Sequence, residues 1–238
     1  MKTIYYPNET RGTADYGWLQ ANYSFSFANF YDANREQFGK LRVLNDDIIA
    51  PGKGFGTHPH SNMEIVSIPL AGALAHKDSL GHESIINTGD VQVMSAGTGI
   101  KHSEYNPNED EATNLLQIWL FPDKANIKPR YDQKSFDFNA EDNKFLTVVA
   151  PESYDDDNAL WIHQDAYFNI ATISGSSNLT YEFNNESNLA YLFVISGSVS
   201  VEDQTLKSKD ALGIFETNKI TVNALKEDAR VLVIETPK

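Results

Sequence analysis

Residues 52–72 read GKGFGTHPHSNMEIVSIPLAG, and residues 97–106 read GTGIKHSEYN. In the first stretch His58 and His60 stand two apart; in the second, His102 and Glu104 repeat that spacing. On an extended strand, residues i and i+2 point to the same side, about 7 Å apart along the backbone. Two imidazoles so placed can converge on one ion at about 2.0–2.1 Å. If the two strands are neighbours in a barrel, four ligand atoms face one lumen. Three imidazoles and a carboxylate suit Fe(II), Mn, Co, Ni, Cu or Zn. Glu64 shares strand parity with His58 and His60, so periodicity leaves two candidate carboxylates, Glu64 and Glu104. A bulge, or a strand that ends early, would remove Glu64 from the lumen. His76, His82 and His163 have no such pairing and read as surface or hydrogen-bonded structural residues.

The glycines around these motifs fit strands rather than phosphate binding. Gly52, Gly54 and Gly56 precede a His-bearing strand, whereas a phosphate loop needs a helix N-terminus. Tight turns or close backbone approach explain them. No Gly-x-Ser-x-Gly string or Ser-His-Asp pattern supports nucleophilic hydrolysis.

Outward from the motifs, strand signals dominate the 238 residues. The segments 41–44, 64–70, 90–94, 115–121, 145–149, 192–195, 198–201 and 231–235 are rich in β-branched or aromatic residues and bounded by Gly, Asn, Asp or Pro. No helical periodicity lasts longer than about three turns. Regularly spaced short strands predict β-sandwiches or barrels. An internal repeat is visible as well. Ile68-Pro69-Leu70-Ala71-Gly72-Ala73-Leu74 matches Phe193-Val194-Ile195-Ser196-Gly197-Ser198-Val199, and each is followed by an acidic turn, at Asp90 and Asp210. The junction is expected within 122–143, where Pro and charged residues interrupt the strands. This gives domains at 1–139 and 140–238.

Composition narrows the chemistry. The chain has no cysteine, so disulfides, zinc–thiolate sites, iron–sulfur clusters and cysteine nucleophiles are excluded, and any metal must use His, Asp or Glu. A reducing, cytoplasmic location is expected. The N-terminal residues lack the apolar segment of a secretory signal, and no apolar run approaches the roughly 20 residues of a membrane helix. The formal charge of -14 divides into 12 basic against 17 acidic residues in 1–139 and 7 against 16 in 140–238. Such a surface repels phosphate backbones, so neither nucleic acid nor membrane is an expected partner.

The pattern GxxxxxHxHxxxE with a later Gly-Asp…His resembles the paired cupin motifs. The fuller strings are similar to the pirin family: Ser24-Phe25-Ser26-Phe27, Leu41-Arg42-Val43-Leu44-Asn45-Asp46-Asp47, Gly54-Phe55-Gly56-Thr57-His58-Pro59-His60, Gly89 through Glu104, and Leu116-Gln117-Ile118-Trp119-Leu120. The match is dense over 9–122; beyond it only the strand pattern resembles the family. The resemblance implies an all-β protein of two cupin barrels (double-stranded β-helix, jelly-roll) packed together. It implies one divalent transition metal, Fe(II) foremost, held by His58, His60, His102 and Glu104. Glu64 is then a non-ligand beside the site, and the C-terminal cupin carries no metal. Bacterial pirins are similar to flavonol 2,4-dioxygenases (quercetinases), which cleave a flavonol ring with O2 and release carbon monoxide. The expected partners are therefore a small aromatic, flavonoid-like substrate and O2, with Glu104 as the base for the 3-hydroxyl. Eukaryotic pirins resemble transcriptional co-regulators. The alternative expectation is a metal- or redox-sensing regulator that works through protein contacts, which the acidic surface suits. A cupin isomerase or sugar-binding module is a third expectation.

Overall fold

The structure is a computed structural model that describes residues 1–139 and 142–238. Apart from one 3-10 turn at Asn8–Thr10, its regular elements are strands, and among the described residues no helix is long and apolar enough to cross a membrane. Two compact units are present. One comprises Gly12–Phe136 with Leu160–Gln164; the other comprises Met1–Arg11, Asp137–Ala159 and Asp165–Lys238.

The first unit has two antiparallel sheets. The larger runs Arg130–Ser135, Asp90–Ser95, Glu64–Ala71, Thr113–Leu120, Leu41–Ile49, Leu19–Tyr23, Gly12–Asp15. The smaller runs Gly54–His60, Ile100–Tyr105, Ala73–Asp78, Glu83–Asn87. Leu74 and Ile86 of the smaller sheet share a buried apolar cluster with Leu19, Ala21, Ile49 and Leu115 of the larger, so the sheets pack face to face. The larger sheet's central strands, such as Asp90–Ser95, are buried along their whole length. This is why their sequences read as continuous apolar runs rather than clean alternations.

The second unit repeats the plan. Its larger sheet runs Lys2–Tyr6, Ala211–Phe215, Leu189–Ser196, Ala229–Thr236, Tyr167–Ile173, Leu146–Pro151, and its smaller runs Asn178–Glu182, Lys219–Ala224, Ser198–Val201, Gln204–Lys207. Leu192, Val194, Val231 and Val233 from one sheet meet Val199, Val201, Leu206, Ile220 and Val222 from the other in one buried cluster. Each fully buried Val, Leu or Ile of this kind stabilises the fold by about 1.5–3 kcal/mol. These are two cupin domains, as the family resemblance implies. The chain's first strand, Lys2–Tyr6, takes the edge place beside Ala211–Phe215.

Candidate metal centre

The two motif strands are neighbours in the smaller sheet of the first unit. Ile100 pairs with His60 and His102 with His58; the register then shifts between His102 and Glu104, which lies opposite Phe55. On its other side the Ile100–Tyr105 strand meets Ala73–Asp78, with His102 opposite Asp78 and Glu104 opposite His76. The close pairing needs Gly54: a methyl group there would lie 2.1 Å from the Glu104 carbonyl oxygen. Glycine thus serves close backbone approach at this position.

The ring centroids of His58 and His102 are 4.4 Å apart, and each lies 4.9 Å from that of His60. One potential ligand atom from each of the three lies within 4.8 Å of the others, and a second such group joins His102 to His76 and Glu104. His102 and Glu104 are buried; His58 and His60 are half-buried. Burial, and then the neighbouring imidazoles His102 and His58, hold His60 down to about 3; burial, with His58 and His76, does the same for His102. Both rings are therefore neutral at physiological pH, the form that donates a lone pair to a metal. His58 places Nδ1 at 2.9 Å from the Gly56 carbonyl oxygen. A carbonyl only accepts, so Nδ1 carries the hydrogen and Nε2 keeps its lone pair.

Two further observations suit a cation. Nε2 of His102 is buried with no hydrogen-bond partner among the described residues. The Glu104 carboxylate is buried and accepts from Gln117, whose Nε2 lies 3.1 Å from both oxygens. Ser67 in turn donates to Oε1 of Gln117 at 3.1 Å. Burial raises the carboxyl of Glu104 above its usual range, against the opposing Gln117 hydrogen bond. A divalent ion beside these groups would supply the charge and the bonds that the protein leaves out.

Glu64 lies elsewhere. The first strand ends at His60, Asn62 takes φ 49°, and a new strand begins at Glu64 in the larger sheet. Parity does not carry across that turn. The Glu64 carboxylate accepts from Ser95 Oγ at 2.7 Å and from the His163 backbone N–H at 3.2 Å, and burial pushes it up to about 7 despite these bonds. It belongs to neither ligand-capable group.

His76 answers to the hydrogen-bonded half of its reading, not the surface half. It is buried, packs 5.2 Å from the His102 ring and 4.8 Å from Tyr131, and faces Asp78. His82 does match its reading as hydrogen-bonded, to Asp78, while His163 packs edge-on against Trp161. Gln117, Trp119 and Asp78 escaped the sequence reading. Their signals were faint: a polar residue inside the apolar run Leu115–Leu120, and an Asp two places after His76 on one strand. Trp119 sits edge-on to His60 at 4.9 Å, and Phe27 edge-on to Trp119 at 5.4 Å. Phe55 lies 6.3 Å from His58. Aromatic rings thus flank His58 and His60.

Fold and donor set define a protein of two cupin domains whose first domain gathers three imidazoles and a buried carboxylate. The Pirin family model matches residues 6–120, and the quercetinase C-terminal cupin domain matches residues 147–236. A quercetin 2,3-dioxygenase of Escherichia coli is 40% identical over 95% of this chain and 95% of its own. A pirin-like protein of Caulobacter vibrioides is 42% identical over 96% and 97%. The crystal structure of the Escherichia coli bacterial pirin YhhW in complex with nickel(II) superposes with a TM-score of 0.92 at 36% identity, covering 99% of both chains. The chain belongs to the pirin family.

Proposed function

We propose that this protein is a metal-dependent flavonol 2,4-dioxygenase, which opens the heterocyclic ring of a quercetin-like substrate with O2 and releases carbon monoxide. One observation carries the reading: three imidazoles with ligand atoms inside 4.8 Å, beside a buried carboxylate. His58, His60, His102 and Glu104 hold one divalent ion, Fe(II) foremost, with nickel among the alternatives. The name of the Escherichia coli relative supports the substrate class, and nickel(II) bound to a relative supports the metal.

The metal, when bound, supplies a Lewis acid that acidifies and orients the 3-hydroxyl. The protein's own residues do the rest. Glu104 has its proton affinity raised by burial, so it is the group that takes the hydroxyl proton. Gln117 fixes the carboxylate by donating to both oxygens, and Ser67 fixes Gln117. Trp119 and Phe55 offer aromatic faces to a flat substrate and keep water from the imidazoles.

Aerobic incubation of metal-loaded protein with quercetin tests this. Flavonol absorbance disappears and carbon monoxide is released in step. Protein loaded in turn with Fe, Mn, Co, Ni and Cu that does neither defeats the proposal. Full turnover by Glu104→Gln at full metal occupancy removes Glu104 as the base.

A further inference from the structure

We infer that Asp78 and His76 form a positioning chain that selects the tautomer of His102 and so turns its Nε2 lone pair toward the metal. Nδ1 of His102 lies 3.4 Å from Nδ1 of His76. Two ring nitrogens at that distance share one hydrogen, and which ring owns it decides the face His102 shows on its other side. If His76 Nδ1 carries it, neutral His102 must hold its own hydrogen on Nε2, and that nitrogen cannot bind a metal. If His102 Nδ1 carries it, Nε2 is a free donor.

Asp78 settles the choice. Nε2 of His76 faces Oδ2 of Asp78 at 3.4 Å, and Nδ1 of His82 faces the same oxygen at 2.9 Å. The backbone N–H groups of Leu80 and His82 donate to Oδ1 at 2.8 and 3.1 Å. A carboxylate receiving four such groups offers only lone pairs, so a neutral His76 puts its single hydrogen on Nε2. Its Nδ1 is then the acceptor, and His102 becomes the Nδ1–H donor.

Rotation of His76 is blocked. Its ring is held between His102 and Tyr131, and the Tyr131 ring also stacks on His82 at 5.0 Å and 20°. Tyr131 is itself tied by its hydroxyl to Ser84 and Gln133. The same geometry argues against His76 as a ligand in spite of its nearness to His102 and Glu104, because each of its nitrogens faces a partner at 3.4 Å. His76 and Asp78 are thus positioning residues: they act on the metal through His102. Partners of this kind keep a ligating imidazole in register, and their loss costs about 10–100-fold in metal affinity.

The inference rests on His102 being a ligand, as proposed above, and its test does not use turnover. Long-range 1H–15N correlation spectra of the metal-free protein report which nitrogen of His102 is protonated, and nickel(II) titration reports affinity. The hydrogen is expected on Nδ1 in the unaltered protein. His76→Phe, which keeps a ring but no acceptor, lowers nickel affinity by about 10–100-fold. His76→Gln restores an acceptor oxygen and with it most of that affinity. Asp78→Asn, which donates as well as accepts, gives a mixture of His102 tautomers. A hydrogen on Nε2 in the unaltered metal-free protein overturns the inference, and that measurement needs no variant to fold. Folded His76→Phe with unchanged nickel affinity overturns it too. Protein that cleaves no flavonol yet shows the Nδ1 tautomer and the affinity loss upholds the chain while defeating the dioxygenase reading.

Discussion

The two cupin domains share a strand plan, and their lumens are filled in opposite ways. Aligning Gly72 with Gly197 places Leu74 at Val199 and His76 at Val201. The pairings of Glu104 with His76 and of Asn223 with Ser200 then put Val222 where Glu104 stands and Ile220 where His102 stands. His102 pairs with His58, and Ile220 pairs with Tyr181. One lumen therefore gathers imidazoles and a carboxylate, while the other belongs to a continuous apolar cluster. The β scaffold tolerates this exchange because backbone hydrogen bonds within each sheet set the strand plan whichever side chains fill the lumen.

The buried carboxylates sharpen the contrast. Glu235 in the second domain is saturated: it accepts from the Tyr181 hydroxyl at 2.6 Å, from the backbone and side chain of Asn184, from the backbone of Asn185 and from the side chain of Asn188. Glu104 in the first is held by side chains, with Gln117 Nε2 at 3.1 Å from both oxygens. A carboxylate met by many donors fastens a loop; one met by fewer keeps lone pairs that a cation can use.

A paired truncation should separate the lumens most widely. Elemental analysis of the unaltered protein is expected to find a single equivalent of metal, and His102→Ala to abolish it. Ile220→Ala leaves that equivalent intact and lowers stability by about 2–5 kcal/mol in denaturant titration. Metal retained by His102→Ala would erase the distinction between the two domains. Next in size, Glu235→Leu leaves several buried donors without an acceptor and costs about 3–5 kcal/mol, with no change in metal content.

The third test uses pH. The folded carboxyl of Glu64 sits near 7, above its ordinary 4.5, so the folded state holds this proton more tightly than the unfolded chain does. Its contribution is full below about pH 4.5, falls as pH rises to about 7 and is flat beyond, amounting to about 3 kcal/mol. Glu64→Gln should remove that slope from stability measured between pH 5 and 8. An unchanged slope would show that Glu64 ionises normally. Smallest is Glu104→Gln in metal-free protein, expected to gain about 1–2 kcal/mol at pH 8 by relieving a buried, under-bonded carboxylate. A loss there would mean that Gln117 already satisfies Glu104 as fully as its neighbours satisfy Glu235.

Much of this was legible in the chain. Strand segments were readable because period-two burial and β-branched runs are local properties, and the duplicated Gly turn marked two domains of one plan. The pairs His58/His60 and His102/Glu104 were visible because i and i+2 share a face whatever the strand's neighbours are. Tertiary structure alone decided the rest. Glu64 left the lumen because the strand breaks at Asn62, and parity has no meaning across a break. The Lys2–Tyr6 strand found its partner at Ala211–Phe215, some 200 residues away, which no local pattern encodes. His76 gained its place from the pairing of a third strand with Ile100–Tyr105, since only register brings its ring to His102 and Asp78 to its far side. The sequence determined which residues carry ligand-capable side chains on one strand face; the pairing of strands decided which of them meet.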